Sequence, residues 1–224
     1  MAAKNTNSAK RILIIDDHPM LRKGLAQLIN NEPELKVGAE ADNARQAIDA
    51  VSKQPFDLAL LDISLPDKSG LELIKDLRVL QPDLPVMVFS MHDEMIYAER
   101  VLRAGGRGYI MKQEGGETFL AAVRQVLSGQ IYVSEKMATR ILEIFSGRQS
   151  DNTKSPVRKL SDREFEVFQL VGQGIGTRAI AERLHLSVKT VEVHRANIKE
   201  KLGLKTATEL IRQAVRWLDS QGQR

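Results

Sequence analysis

The chain has 224 residues, of which 42% are hydrophobic, and this is enough for one large domain or two small domains with packed cores. It contains no cysteine, which excludes a disulfide framework and a thiolate metal site. No apolar run is long enough to span a bilayer, and the opening MAAKNTNSAK lacks the apolar stretch of a secretory signal. We therefore expect a cytoplasmic protein without a membrane partner, with a disordered tail over residues 1–9.

The net charge of +4 is unevenly distributed along the chain. Residues 1–133 carry 16 Lys and Arg against 18 Asp and Glu, whereas residues 155–224 carry 13 against 8. A basic excess confined to the last third is typical of a segment that contacts nucleic acid. On charge alone, a merely solvated basic surface is an equal alternative.

Strand and helix patterns alternate five times in the first part of the chain. Helical patterns, with apolar residues three and four apart, separate short apolar runs, and a further helix is predicted at about residues 117–127. The apolar runs predict strands at residues 12–15, 35–39, 58–61, 86–89 and 108–111. Such alternation favours an α/β fold in which helices cover both faces of a parallel sheet.

The remainder of the chain predicts helices interrupted by one polar segment. Residues 134–145 have a helical pattern, and the following GRQSDNTKSPVRK, residues 147–159, is polar and lacks an apolar period, which is typical of a linker. Residues 160–218 are helical in pattern and sufficient for a compact unit of three or four helices. We predict a domain over residues 10–130, a connecting helix and linker over 131–159, and a helical domain over 160–224.

Polar side chains collect where the predicted strands end. Asp16 and Asp17 follow the first strand, and Asp62 follows the third. Ser90 and Lys112 stand at the ends of the fourth and fifth strands. Ligands bind at the carboxyl ends of the strands in open parallel sheets, so these side chains should converge. Adjacent carboxylates are tolerable when a hard cation lies between them and a third acid, and the three acids therefore predict a Mg²⁺ site.

Phosphoryl transfer to a carboxylate is the chemistry that suits these residues. Asp62 would accept the phosphoryl group, and Mg²⁺ would neutralise that group and place it in line. Ser90 would donate a hydrogen bond to a phosphoryl oxygen, and Lys112 would balance the negative charge of the product. The backbone carbonyl of Ser64 would complete the metal shell.

Four segments resemble, in their order and spacing, the receiver domain of bacterial two-component response regulators: RILIIDDHP, LALLDISLPDKSGLEL, VMVFS and GYIMK. The resemblance covers residues 10 to about 130 and implies a flavodoxin-like, doubly wound fold with five parallel strands. It implies that Asp62 receives its phosphoryl group from a histidine kinase, that the three acids and the Ser64 carbonyl bind Mg²⁺, and that Tyr109 is an aromatic switch residue. The chain departs from many receivers in having Gln113, not Pro, after the lysine.

The basic last third predicts four short helices. Ser161 and Glu164 form a capping box for the first, which runs to about residue 171. The second covers residues 177–184, Ser187 caps a third that runs to residue 202, and Thr206 with Glu209 opens the fourth. Two helices joined by a tight turn, the second of them basic, are typical of a helix-turn-helix.

The third helix carries the side chains expected to contact DNA. Lys189, Val193 and Asn197 lie four residues apart, so one face can present them to a major groove. Basic residues on other faces, such as Arg195, are better placed for phosphates. The candidate DNA-binding residues are Thr177, Ser187, Lys189, Thr190, Glu192, Val193, Arg195, Asn197, Lys199 and Lys201.

Residues 160–215, which include KTVEVHRANI, resemble the all-α LuxR-type helix-turn-helix DNA-binding domain. Joined to a receiver, such a domain places the chain in the NarL/FixJ subfamily of response regulators. The chain has Glu192 and Ala196 where several members carry a basic residue on the reading face. A helical bundle that uses its basic helix for a protein partner is the alternative.

The two resemblances imply a phosphorylation-controlled transcription regulator that binds double-stranded DNA. Mg²⁺-dependent transfer from a histidine kinase to Asp62 would shift the receiver and promote homodimerisation and DNA binding. We expect no enzyme, apart from phosphoryl acceptance and any slow self-dephosphorylation. One alternative is an atypical receiver whose DNA binding is not phosphate-controlled. Another is a phosphohydrolase with Asp16 or Asp17 as nucleophile, which is disfavoured because the haloacid dehalogenase type needs acids two residues apart and position 18 is His.

Overall fold

The computed structural model describes residues 9–146 and 156–222. The chain divides into two compact units, one ending at Thr139 and the other beginning at Arg140. Within the described ranges, no helix is long and apolar enough to cross a membrane. The predicted tail, residues 1–9, and the predicted linker, residues 147–159, lie mostly outside these ranges.

The first unit contains a five-stranded sheet in which all paired strands are parallel. The strands are β1 (Lys10–Ile15), β2 (Leu35–Ala41), β3 (Leu58–Leu61), β4 (Val86–Ser90) and β5 (Gly108–Met111). Their order in the sheet is β2-β1-β3-β4-β5, the order of flavodoxin-like folds, which confirms the predicted fold class. The five predicted strands are all present, and three of them are one or two residues longer than the sequence pattern indicates.

Helices cover both faces of this sheet, and the central strands are consequently buried on both sides. Every residue of β3 and β4 is buried, which explains why these strands are continuous apolar runs with no alternation. The helices are α1 (Pro19–Asn30), α2 (Ala44–Lys53), α3 (Gly70–Leu80), α4 (Glu94–Ala104) and α5 (Gly116–Leu127).

The chain continues the sheet edge after α5, beyond the predicted domain end at residue 130. The Tyr109 N–H donates to the Tyr132 carbonyl at 2.8 Å, and the Tyr132 N–H donates to the Arg107 carbonyl at 3.0 Å. The next helix, α6 (Glu135–Phe145), begins just after Ser134, whose N–H donates to the buried Glu94 carboxylate at 2.7 Å. Residues 131–134 are therefore held against the edge of the sheet at β5 and against α4.

The second unit is all-helical, as predicted. Val157 is only 3% exposed and lies in a 3₁₀ helix, Pro156–Lys159, so the packed unit includes residues that the sequence pattern assigned to the linker. A single apolar residue has no periodicity, which is why the pattern missed it. Phe165 and Phe168 pack edge-on against Trp217, with ring centroids 5.4 and 5.9 Å apart. The helices are α7 (Asp162–Gly172), α8 (Thr177–Arg183), α9 (Val188–Leu202) and α10 (Ala207–Gly222).

Candidate phosphoacceptor site and DNA-binding surface

Asp62 lies directly after β3 and is 4% exposed, with both of its carboxylate oxygens engaged. Oδ1 accepts a hydrogen bond from the Ser90 hydroxyl at 2.9 Å. Oδ2 accepts one from the Lys112 ammonium at 2.6 Å. Three strand ends therefore bring together a nucleophile, a hydroxyl donor and a cation, as the strand-end rule predicts.

Lys112 bridges two buried acids. Its Nζ lies 2.6 Å from Asp62 Oδ2 and 2.7 Å from Asp16 Oδ2. Burial disfavours the charged ammonium, but the two carboxylates outweigh this effect and raise the pKa of Lys112 above its ordinary value. The lysine is therefore charged at neutral pH and offsets part of the negative charge of the acids.

The acidic pair after β1 has two different environments. Asp16 is buried, and its Oδ1 accepts the backbone N–H of His18 at 2.8 Å while its Oδ2 faces the lysine. Asp17 is half-buried; its Oδ1 is shielded from solvent and makes no well-aligned hydrogen bond, although it lies 2.8 Å from His18 Nδ1. A shielded carboxylate oxygen without a well-aligned hydrogen bond is costly unless another ligand satisfies it.

A divalent cation fits this arrangement. Ligand atoms of Asp16, Asp17, His18 and Asp62 all lie within 4.8 Å of one another. Carboxylate oxygens are the ligands that Mg²⁺ prefers, and a cation would satisfy the Asp17 oxygen. These residues thus form an acidic pocket that fits a hard divalent cation.

Ser64 and His92 lie beside the phosphoacceptor. The Ser64 N–H donates a long hydrogen bond, 3.4 Å, to Asp62 Oδ1. The Ser64 hydroxyl and His92 Nε2 are 2.8 Å apart and form a hydrogen bond. The predicted role of the Ser64 carbonyl in metal binding stays a prediction.

Tyr109, the predicted switch residue, is fully buried in β5. Its hydroxyl donates to the His92 carbonyl at 2.8 Å, and burial raises the pKa of the phenol well above its ordinary value. The His92 N–H in turn points to the Ser90 hydroxyl at 3.5 Å. The aromatic residue is therefore connected to the phosphoacceptor through the loop after β4.

Gly70 is a site-supporting residue that sequence reasoning missed. A Cβ at this position would lie 2.6 Å from the Ile63 Cα and 3.0 Å from the Asp62 carbonyl oxygen. The Gly70 N–H donates to the Ile63 carbonyl at 3.0 Å, which closes the loop after Asp62. Such a close backbone approach has no sequence period and is invisible before the fold is known.

None of the candidate DNA-contacting side chains in α9 is buried, and half of them are exposed. Val191 and Ile198 are fully buried, whereas Lys189 and Glu192 are exposed and Val193 is 51% exposed. Ser187 caps the helix by accepting the Thr190 N–H at 3.0 Å. Asn197 is half-buried.

Two of the predicted phosphate-binding cations have different surroundings. Arg195 donates from its guanidinium to the Thr177 hydroxyl at 3.0 Å, which joins the start of α8 to the middle of α9. Lys201 instead donates to the buried Glu164 carboxylate at 2.6 Å, an ion pair that sequence reasoning missed. Lys199 is half-buried and lines a surface cavity with Thr177 and Arg195.

Glu164 combines helix capping with this ion pair. It accepts the Ser161 N–H at 2.7 Å, while the Ser161 hydroxyl accepts the Glu164 N–H, so the predicted capping box is confirmed. Burial opposes the charged form, but the Lys201 and Ser161 hydrogen bonds outweigh it and lower the pKa of Glu164. Lys201 is thereby committed to holding α7 against α9.

The fold and the two sites define a receiver joined to a helix-turn-helix. Two family models match the chain: the response regulator receiver domain over residues 12–124, and the bacterial regulatory proteins of the luxR family over residues 158–214. The chain therefore belongs to the two-component response regulators with a LuxR-type DNA-binding domain, the NarL/FixJ type. Members of this family are phosphorylation-controlled transcription regulators that bind DNA and take their signals from histidine kinases.

The chain is similar in sequence to curated relatives over nearly its whole length. The oxygen regulatory protein NreC of Staphylococcus carnosus (strain TM300) is 35% identical over 210 residues, which cover 92% of this chain and 97% of the relative. NreC of Staphylococcus aureus (strain MRSA252) is 36% identical over the same shares. In both cases the match covers nearly the full length of the two proteins.

Solved structures show the same architecture. A two-component response regulator of the LuxR family from Aurantimonas sp. SI85-9A1 is 29% identical with a TM-score of 0.58, covering 62% of this chain and 99% of that one. RcsB of Salmonella enterica serovar Typhimurium, bound to promoter rprA in the presence of the phosphomimetic BeF3-, has a TM-score of 0.62. It is 24% identical and covers 92% of this chain and 98% of its own, and it supports the fold alone.

Proposed function

We propose that Asp62 is the phosphoacceptor of this regulator. The observation that carries the proposal is the simultaneous engagement of its buried carboxylate by Ser90 and Lys112, at 2.9 and 2.6 Å. A carboxylate held between a hydroxyl and an ammonium is oriented for attack on phosphorus. The same two donors then face the oxygens of the product.

Each residue around Asp62 has a separate role in phosphoryl transfer. Asp62 attacks the phosphorus of a phosphohistidine, and the phosphorus–nitrogen bond breaks as the acyl phosphate forms. Lys112 offsets the added negative charge, and Ser90 hydrogen-bonds a phosphoryl oxygen. Asp16, Asp17 and Asp62, with the Ser64 carbonyl, would hold Mg²⁺, which supplies charge neutralisation and in-line placement when bound. Slow hydrolysis of the acyl phosphate would return the regulator to its resting state.

Phosphorylation at Asp62 would draw the Ser90 hydroxyl towards the new oxygens. Ser90 touches the His92 N–H, and the His92 carbonyl accepts the Tyr109 hydroxyl, so the loop after β4 and the buried ring would move with it. The outcome that we propose is homodimerisation and tighter binding of double-stranded DNA. We also propose that the protein acts in the cytoplasm, where this DNA lies.

DNA contact would use the exposed face of α9. Lys189, Val193 and Asn197 would approach base edges, together with Ser187, Thr190 and Glu192. Arg195, Lys199 and Thr177 would bind phosphates. Lys201 would contact a phosphate only if its ion pair with Glu164 broke. We therefore expect it to contribute less to DNA affinity than Arg195 or Lys199.

The test measures DNA affinity and oligomeric state together. Full-length wild type and Asp62→Asn are incubated with acetyl phosphate and Mg²⁺, then examined by sizing with light scattering and by titration of promoter DNA. We expect the wild type alone to shift towards dimer and to bind DNA more tightly. An equal shift in Asp62→Asn would contradict the assignment, and unchanged DNA affinity in the labelled wild type would favour an atypical receiver.

A further inference from the structure

His18 is an acid-pocket residue to which the proposed function gives no role. It lies between the acidic pair and α1, with its side chain 66% exposed. The backbone on both sides is fixed: the His18 N–H donates to Asp16 Oδ1 at 2.8 Å, and the His18 carbonyl accepts the Arg22 N–H at 3.1 Å. Pro19 follows at the first position of α1. The imidazole is therefore attached at a well-defined point on the pocket rim.

The imidazole nitrogen of His18 faces both acids. Its Nδ1 is 3.1 Å from Asp16 Oδ1 and 2.8 Å from Asp17 Oδ1. Asp17 Oδ1 is buried and makes no hydrogen bond, even though the ring nitrogen is this close. The ring nitrogen is thus hydrogen-bonded to Asp16 Oδ1 and within ion-pair distance of Asp17 Oδ1, so one nitrogen and two carboxylate oxygens converge on one point.

This spacing is the spacing of neighbouring ligands on one cation. Ligands at right angles around a small divalent ion, each about 2.1 Å from it, are about 3 Å from one another. Both His18 distances are close to that value, and the Asp62 carboxylate falls in the same group of ligand atoms. The pocket therefore offers one nitrogen ligand beside its oxygens.

We propose that His18 is a fourth side-chain ligand of the cation pocket, through Nδ1, and that the pocket consequently binds borderline cations such as Co²⁺ and Zn²⁺ in addition to Mg²⁺. The proposal rests on the proposed function, because it uses the same acids. Imidazole suits Co²⁺ and Zn²⁺, whereas Mg²⁺ takes oxygen ligands and retains its waters. The affinity for Co²⁺ and Zn²⁺ should therefore depend on His18, whereas the affinity for Mg²⁺ should depend on it little.

The first test is calorimetric titration of untagged full-length protein with Co²⁺ and, separately, with Mg²⁺. His18→Gln should weaken Co²⁺ binding by about tenfold or more, the usual scale for losing a metal-site contact. Mg²⁺ binding should change by less than about twofold, since no oxygen ligand is lost. His185→Asn, in the turn between α8 and α9, is the matched control, because Asn tolerates the left-handed backbone there (φ 51°).

Direct evidence comes from proton NMR of the Co²⁺-loaded protein. A bound imidazole gives strongly shifted ring resonances, which should be present in the wild type and in His185→Asn and absent in His18→Gln. Equal Co²⁺ affinities for wild type and His18→Gln, or shifted resonances that persist in His18→Gln, would overturn the proposal.

The wild type's response to acetyl phosphate separates this proposal from the proposed function. If Mg²⁺-dependent labelling occurs but His18→Gln leaves Co²⁺ binding unchanged, the ligand role of His18 is wrong and the phosphoacceptor stands. If the wild type neither binds Mg²⁺ nor becomes labelled, both fail.

Discussion

The Lys112 ammonium lies within 2.7 Å of two buried carboxylates, those of Asp62 and Asp16. One cation therefore holds together the ends of β1, β3 and β5 at the phosphoacceptor. Without it, Asp62 would be buried with no cationic side chain in contact among the described residues, and Asp16 would keep the His18 imidazole. Its removal should affect both stability and chemistry.

Replacing Lys112 with Met should destabilise the receiver by about 3–5 kcal/mol, the usual result of removing one partner of a buried ion pair. Added Mg²⁺ should recover part of this loss, because it supplies the missing positive charge. Urea unfolding followed by circular dichroism, with and without Mg²⁺, measures both effects. Lys23→Met, on the exposed surface of α1, should stay within about 0.5 kcal/mol of wild type. A stable Lys112→Met that labels normally would count against the assigned role.

Gly70→Ala should displace the loop after Asp62, because the added Cβ would lie 2.6 Å from the Ile63 backbone. We expect a loss of stability of about 1–3 kcal/mol and slower labelling by acetyl phosphate. Gly24→Ala is the matched control, since nothing lies within 4 Å of its added Cβ in α1. That change should leave labelling intact and stabilise the helix by up to about 1 kcal/mol. Unaltered labelling in Gly70→Ala would show that the loop tolerates the shift.

Tyr109→Phe removes the hydroxyl that donates to the His92 carbonyl but keeps the ring. We expect a stability loss of about 1 kcal/mol, the usual contribution of one hydrogen bond. Labelling at Asp62 should persist, whereas the gain in DNA affinity on labelling should shrink, because the ring is no longer tied to the loop after β4. Comparing DNA titrations of labelled and unlabelled protein measures that gain, and an undiminished gain would exclude the switch role.

Glu164 should make the helical unit sensitive to acid. Because its pKa is lowered in the folded state, its contribution to stability is present above the ordinary value of 4.5 and is lost as the pH falls through the folded value. Glu164→Ala should cost about 1–2 kcal/mol near neutral pH, since the cap and the ion pair are both lost. Glu164→Gln should cost less, because Gln can still form the capping box.

The single tryptophan, Trp217, packs against Phe165 and Phe168 and reports unfolding of this unit by fluorescence. The difference in the free energy of unfolding between wild type and Glu164→Ala should shrink as the pH is lowered past the pKa of the Glu164 carboxyl. A difference that stays constant down to pH values well below 4.5 would mean that the ion pair is unimportant.

Arg195 and Lys201 should behave differently in DNA binding. Arg195→Ala should reduce the salt dependence of binding by about one counterion, as expected for a lost phosphate contact. Lys201→Ala should change it less, because this lysine is paired with Glu164, but should destabilise the unit. DNA titrations over a range of salt concentrations give the slopes. Equal slopes for wild type and Arg195→Ala would place Arg195 away from the phosphates.

The sequence was sufficient to predict the sheet and the central part of the candidate site. Strand direction alone brings Asp62, Ser90 and Lys112 to one edge, so the rule for parallel sheets found them without any side-chain geometry. The helix caps at Ser161 and Ser187 were likewise predictable, because capping depends on residues only three positions apart.

The features that the sequence did not predict arise from contacts that leave no repeating pattern of apolar residues. Some join residues far apart in the chain, and others involve only one residue. Lys201 meets Glu164 across 37 residues. The need for glycine at Gly70 arises from a backbone approach that only the folded loop creates. Tyr132 extends the sheet edge by a single residue, which is too short to give a strand pattern.

The central claim is that Asp62 carries the phosphoryl group, and site mapping tests it most directly. The wild type is treated with acetyl phosphate, with and without Mg²⁺, and the acyl phosphate is reduced with borohydride before peptide mass spectrometry. We predict a single Mg²⁺-dependent modification at Asp62 and none in Asp62→Asn. Modification at another acid, or an unchanged yield in Asp62→Asn, would contradict the account.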